Sequence, residues 1–244
     1  MSIRQYSTIN ALMLGHYYGS VKVSEALKHG DLGLGALENL NGECLIIDGK
    51  CYCGLPGGAV AEVHGETQLA FCTVGDFSMA GTIFQANGAE SMADVWRMAD
   101  DVRQVECESD NIPCICRIDG KFSKVLVRSF REQRPPFRPL SEVCREQIET
   151  LAEDIDGTLI GFWFPKYLGG VNQDGWHLHF ISRDRKTFGG HCLDCKLVSG
   201  LIGCRKEPNF TVILPSSEQF RTLNLAQDLS AQRDAVENSS QKKE

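Results

Sequence analysis

Gly175-Trp176-His177-Leu178-His179-Phe180-Ile181 alternates imidazole with large apolar side chains, the period of a strand with one buried face. His177 and His179 then share one side, and Trp176, Leu178 and Phe180 share the other, where their bulk holds that face in a core. The result is a rigid platform presenting two imidazoles side by side. A third histidine, His191, follows residues 182–188 and Gly189-Gly190, an excursion of hairpin type. Such an excursion returns His191 beside His179 on the neighbouring strand, where opposed Cβ atoms lie roughly 4.5–5.5 Å apart. Cys192 points to the opposite face. Three protein ligands with one position left open is the plan of a catalytic zinc site; structural zinc sites are closed by four. A lone histidine is usually a core or surface residue. Three within residues 177–191, in a chain with only 6, favour a metal.

Working outward, two Asp-Gly pairs stand between apolar runs and predict hairpins: Asp48-Gly49 between 44–47 and 50–53, and Asp119-Gly120 between 115–118 and 121–128. Ser7-Thr8 precede an apolar run to Leu14 and predict a short helix. Residues 24–30 predict a second, with Ser24 as N-cap and Gly30 as a left-handed stop. Gly33-Leu34-Gly35 reads as a tight loop, and the third glycine of a dinucleotide fingerprint is replaced by Glu38. Residues 91–102 predict a helix with an apolar stripe of Met92, Val95, Ala99 and Val102 and a capping box of Ser91 and Asp94. The Pro-rich residues 134–139 break any regular element and suggest a boundary between an N-terminal α+β unit (1–138) and a barrel-like C-terminal unit (139–244). A helix from Ser141 is expected to turn Cys144, Ile148 and Leu151 inward. Strands are expected over 158–164, 176–181, 191–197 and 211–214, and residues 239–244 read as a frayed polar tail. The class is therefore α+β with mostly antiparallel sheet and a few helices.

The chain has 244 residues, 42% hydrophobic and 23% charged, enough for a substantial core. A formal net charge of −7 argues against a nucleic-acid partner, which usually demands a basic face. No apolar run approaches a membrane span, and no basic-then-apolar leader is apparent in the sequence. Eleven cysteines cannot all pair within one chain, so reduced thiols in a cytoplasmic protein are the simpler account. Cys51-x-Cys53, Cys114-x-Cys116 and Cys192-x-x-Cys195 could supply thiolates to a metal. None has a second pair at zinc-ribbon spacing, and small core hydrophobes is the better reading.

The chain resembles the acetolactate decarboxylase family. The matching stretches are QYSTINALMLG (5–15), HGDLGLG (29–35), LNGE (40–43), RIDGKF (117–122), GTLIGF (157–162) and GWHLHFISRD through GGH (175–191), in that order. The last is the most diagnostic. The resemblance implies a metal on His177, His179 and His191, zinc or another divalent ion, with no organic cofactor. It implies a site glutamate at Glu43, a site arginine at Arg128, and a tail glutamate matched by tail length to Glu237. It also implies two sheet-based units with the site between them, usually in a homodimer. Ala36 departs from the threonine that follows this glycine in the family. Taken alone, Glu43 and Arg128 are ordinary charges at strand ends, and Glu237 an ordinary tail charge.

The chemistry expected from the resemblance is conversion of 2-acetolactate to acetoin and CO2. Loss of CO2 leaves an electron pair that the adjacent ketone accepts as an enediolate, which a Lewis-acidic zinc would stabilise. Arg128 would grip the substrate carboxylate with its planar fork, Glu43 would donate the proton that completes acetoin, and Glu237 would serve as a second acid-base group or a closing ligand. Two other readings compete: another three-histidine metalloenzyme, either a hydrolase or an oxygenase, and a non-catalytic metal-bound module of related fold.

Overall fold

The structure is a computed structural model, and it describes residues 2–77 and 81–237. The expected fraying at 239–244 lies outside those residues. Two sheets organise the chain. The first comprises β1 (Ile3–Tyr6), β2 (Val21–Lys22), β3 (Leu32–Leu37), β4 (Glu43–Ile47), β5 (Lys50–Gly54), β6 (Val60–Glu62) and β7 (Gln68–Gly75), completed later by β13. The second comprises β8 (Thr82–Ala89), β9 (Cys114–Ser129), β10 (Ile148–Phe164), β11 (Gly175–Ser182) and β12 (Gly189–Lys206). After it β13 (Phe210–Ile213) returns to lie parallel beside β1, and every other pairing is antiparallel. The α+β class with mostly antiparallel sheet is as expected.

The first sheet runs β13-β1-β7-β3-β4-β5-β6, with β2 on β7. Its tightest turn is the Asp48-Gly49 hairpin, where both residues have positive φ (53° and 73°) and Ile47 pairs with Lys50. Gly33-Leu34-Gly35 is not a loop: it lies inside β3, where a Cβ on Gly35 would sit 2.0 Å from the Phe71 carbonyl oxygen. These glycines let β3 and β7 approach.

The second sheet runs β11-β10-β9-β12-β8, and β11 also pairs with the start of β12, so four long strands close on themselves. Asp119-Gly120 makes no hairpin here. Neither residue has positive φ, and β9 runs straight through them. Gly120 pairs with Gly157 on one side and Gly200 on the other, a glycine row across three strands. A Cβ on Gly120 would meet the Ser199 carbonyl oxygen at 2.7 Å. The glycine serves a close strand crossing, not a turn. The Pro-rich residues 134–139 lie on the connection from β9 to β10.

Among the described residues six α-helices complete the fold: α1 (Ile9–Met13), α2 (Val23–Ala26), α3 (Met92–Cys107), α4 (Leu140–Val143), α5 (Glu218–Arg221) and α6 (Ser230–Glu237). The Thr8 hydroxyl caps α1 by accepting from the Ala11 N–H. The Ser91–Asp94 box caps α3, and the expected stripe of Met92, Val95, Ala99 and Val102 is buried. Two helix expectations fail in detail. Ser24 lies inside α2, which has no side-chain cap, and Gly30 is extended at φ 161°. The helix from Ser141 stops after α4 and one 3-10 turn. Ile148 then opens β10, and Leu151 is exposed as the cross-strand neighbour of Leu126. Pairing with β9 overrides a pattern that also fits a helix.

Of the four apolar clusters among the described residues, three position the site. Leu34, Leu45 and Ile47 of the first sheet pack on Ile160, Phe162 and Ile181 of the second. The other face of the second sheet is covered by α3, with Phe122, Leu178 and Phe180 at its centre. A third cluster joins α1, α4 and α6 to Ala36, Phe71 and Phe130. Among the described residues no helix is long and apolar enough to cross a membrane.

Candidate metal centre and active site

Register places the histidines. His179 on β11 is directly opposite His191 on β12, and His191 is directly opposite Arg128 on β9. Directly opposed residues share a face, so Arg128, His191 and His179 form one row across three strands. His177 joins it two residues along β11. On the reverse face Leu178 and Phe180 are buried, with Trp176 packed against the same cluster, and Trp176 Nε1 donates to Asp100 of α3 at 3.2 Å. Gly161, opposite Leu178, allows the close approach of β10, because a Cβ there would sit 2.1 Å from the His177 carbonyl oxygen.

The three imidazoles are buried, with ring centroids 5.0–5.2 Å apart. Each offers a nitrogen, and these atoms lie within 4.8 Å of one another. Among the described residues no cysteine joins such a cluster. All eleven thiols are free, and every one except Cys144 is buried. His179 Nδ1 donates to the Cys44 carbonyl at 2.9 Å, which fixes the tautomer and leaves Nε2 with its lone pair. That Nε2 is buried without a partner, as is Glu237 Oε2. Three neutral rings, one of them with an orphaned nitrogen, and beside them a carboxylate oxygen that accepts no hydrogen bond are the donor set of a divalent cation, and the residues fit one.

Burial, helped by the Arg128 charge, depresses the His177 pKa to about 3, and it holds His191 and His179 well below the ordinary value. In His179 the neighbouring His177 adds to burial. The rings are therefore unprotonated at neutral pH, the form a metal requires.

Glu43 opens β4 on the first sheet, its Oε2 3.9 Å from His179 Nε2. Burial pushes its carboxyl up to about 8; Arg128 draws it down and Glu237 pushes it up, and burial prevails. Arg128 is 2% exposed. Its Nη1 donates to the Val236 carbonyl and faces Gln147 Oε1 at 3.4 Å, its Nη2 lies 3.7 Å from Glu237 Oε1, and its Nε has no partner. Glu237 ends α6 with Oε2 3.5 Å from both His177 Nε2 and His191 Nε2. Burial raises its pKa against the pull of Arg128.

The sequence-predicted residues Glu43, Arg128, His177, His179, His191 and Glu237 thus line one pocket of about 20 Å³, room for roughly one water. Leu12, Ala36, Leu40, Phe71, Phe130 and Leu140 contribute its apolar wall. Sequence reasoning missed that wall, the Cys44 carbonyl and Gln147. The wall residues look like any core hydrophobes, and a backbone carbonyl has no side-chain signature.

A family model described as Alpha-acetolactate decarboxylase matches residues 3–227. The alpha-acetolactate decarboxylase of Methanosarcina mazei is 35% identical over 233 residues, covering 96% of this chain and 79% of that protein. That of Klebsiella aerogenes is 33% identical over 239 residues, covering 97% and 89%. The crystal structure of alpha-acetolactate decarboxylase from Bacillus subtilis strain 168 superposes with a TM-score of 0.90 at 28% identity, covering 98% of this chain and 99% of that one.

Proposed function

Since this chain belongs to the alpha-acetolactate decarboxylase family and is a carboxy-lyase, we propose that it converts 2-acetolactate to acetoin and CO2 with zinc on His177, His179 and His191. The observation that carries this reading is the row of Arg128, His191 and His179, completed by His177 and faced by a buried Glu43 and Glu237. His177, His179 and His191 would hold the zinc, which when bound would supply Lewis-acid stabilisation of the charge that develops as CO2 leaves.

The chain's own groups divide the remaining work. Arg128 binds the substrate carboxylate through its unpartnered Nε and the Nη2 now facing Glu237. Glu43, protonated at neutral pH by burial, delivers its Oε proton to the carbon that lost CO2 and is reloaded from water. Glu237, held beside Arg128 and two imidazoles, orients the substrate hydroxyl, or accepts its proton and returns it to the same oxygen as acetoin forms. The apolar wall accepts the two methyl groups and keeps bulk water from the carbanionic centre. The homodimer and the cytoplasmic location expected from the sequence belong to the same proposal. No specific observation favours the hydrolase, oxygenase or non-catalytic readings.

The test is incubation of purified protein with racemic acetolactate, with and without a chelator, followed by an acetoin assay. Acetoin formed only with metal, and restored by zinc, is the expected result. Absence of acetoin from the zinc-loaded protein would overturn the proposal.

A further inference from the structure

Arg233 lies outside the pocket, one turn of α6 before Glu237, yet it is only 6% exposed. A buried guanidinium must be matched by acceptors. Nη1 donates to Asn10 Oδ1 at 3.0 Å, and Nη2 faces Asp174 Oδ1 at 3.4 Å. Asn10 belongs to α1, and its own N–H donates to the Gly170 carbonyl at 3.1 Å. Asp174 immediately precedes β11, three positions before His177. One side chain therefore ties α6 to α1 and to the entry of the histidine strand.

Two glycines make room for this clamp. A Cβ on Gly169 would lie 3.1 Å from Arg233 Nη2, and one on Gly170 2.8 Å from Asn10 Nδ2. The clamp shares its task with buried Leu229 just ahead of α6 and with the Arg128 bond to the Val236 carbonyl, contacts at the two ends of the helix. An eight-residue helix is marginal alone in water, and the buried residues of α6 are Arg233, Val236 and Glu237. Val236 supplies the apolar contact, Glu237 faces the rings, and Arg233 alone reaches away from the pocket to fixed acceptors.

We infer that Arg233 is a positioning residue for the decarboxylation: it docks α6 so that Glu237 stays over the histidines and Arg128. The inference rests on the reading of Glu237 as a site group. Arg233 touches no residue that would meet substrate, so it acts through Glu237.

A double-mutant cycle on the zinc-loaded full chain tests this. Arg233→Met is expected to lower kcat/KM by about tenfold to a hundredfold, the scale of a misplacement near 1 Å. Placed on a Glu237→Gln background, the same change should cost less than about twofold, because a disabled group gains nothing from being held. Arg233→Lys, which keeps the charge and one donor, should recover part of the loss. Amide exchange over 230–237 should quicken while β11 stays protected. If Arg233→Met does not accumulate folded, Asp174→Ala enters the same cycle under the same criterion. Equal losses on the two backgrounds, or no loss in the parent, overturn the inference. Glu237→Gln at parental activity would instead remove the reading of Glu237 on which it stands.

Discussion

Glutamine at position 43 would keep the size and polarity of the side chain but carry no dissociable proton. Glu43→Gln is expected to retain zinc at parental stoichiometry and to lose acetoin formation by about 10²- to 10⁴-fold, the usual reach of a general acid. Because burial raises Glu43 to about 8, the donor is present below that pH and lost above it. Zinc beside it would draw that value down, so the parental rate should fall as pH rises through the lowered value, and that limb should vanish in the variant. Normal turnover by Glu43→Gln would dismiss it as the donor. Arg128→Ala should raise KM while zinc content holds, and unchanged kinetic constants would take Arg128 out of the site. At this scale the histidines were legible and the other groups were not. Alternation across 175–181 assigns His177 and His179 to one face with no further information. Glu43 and Arg128 are single charges at strand ends, a local pattern shared with countless solvated residues. Only the first sheet and α6 closing over β9, β11 and β12 give them their burial.

Elements carry their own tests. Gly161 is opposite Leu178, midway between the two histidines of β11. Gly161→Ala puts a methyl against the His177 carbonyl oxygen at 2.1 Å and must move β10 or β11. A loss of about 1–3 kcal/mol is expected, read as a lower denaturant midpoint, together with weaker zinc retention in a competitive chelator titration. Parental values on both would mean that the strands have slack there. Ser91→Ala at the cap of α3 should cost about 1 kcal/mol and leave zinc retention untouched, since α3 packs on the reverse face of the second sheet. The two Asp-Gly pairs show where element reading succeeds and fails. At Asp48-Gly49 both φ angles are positive and the pair turns the chain. At Asp119-Gly120 the same dipeptide lies in a strand interior, because Gly120 meets Gly157 and Gly200 across the sheet. That row depends on residues far away in sequence, which no short window contains.

The whole molecule has a pH profile set by its buried titratable groups. In chelator-treated protein the three imidazoles have folded pKa values below the unfolded value of 6.5. The unfolded chain then binds more protons below pH 6.5, so their contribution is intact above that pH and lost as pH falls, for His177 toward about 3. Glu43 and Glu237 are raised above the unfolded value of 4.5, so their contribution is intact below 4.5 and lost as pH rises, for Glu43 through about 8. Below 6.5 these three imidazoles, joined by buried His16, outweigh two carboxyls; above it the carboxyls act, and thiols that burial holds above their ordinary value join them toward the alkaline end. Metal-free protein should be most stable near pH 6.5, and His177→Asn should flatten the acid side. Calorimetry across pH 4–9 reads both, and a flat melting temperature below pH 6.5 would refute the argument. At this scale the α+β class was legible from hairpin-spaced strands with few helices. The pairing of β11 with β12 was legible from the excursion between them; that it fastens a closed ring was not, because closure depends on bends distributed along strands of 16 to 18 residues.

That closing contact has a consequence for how the enzyme fails. His179 and His191 are themselves a rung of the seam where the ring of strands is fastened. Heat that parts the seam separates the ligands in the same motion. Zinc escape, loss of turnover and collapse of tertiary structure should share one midpoint on a melting curve, with no temperature interval in which an intact scaffold carries a dead centre.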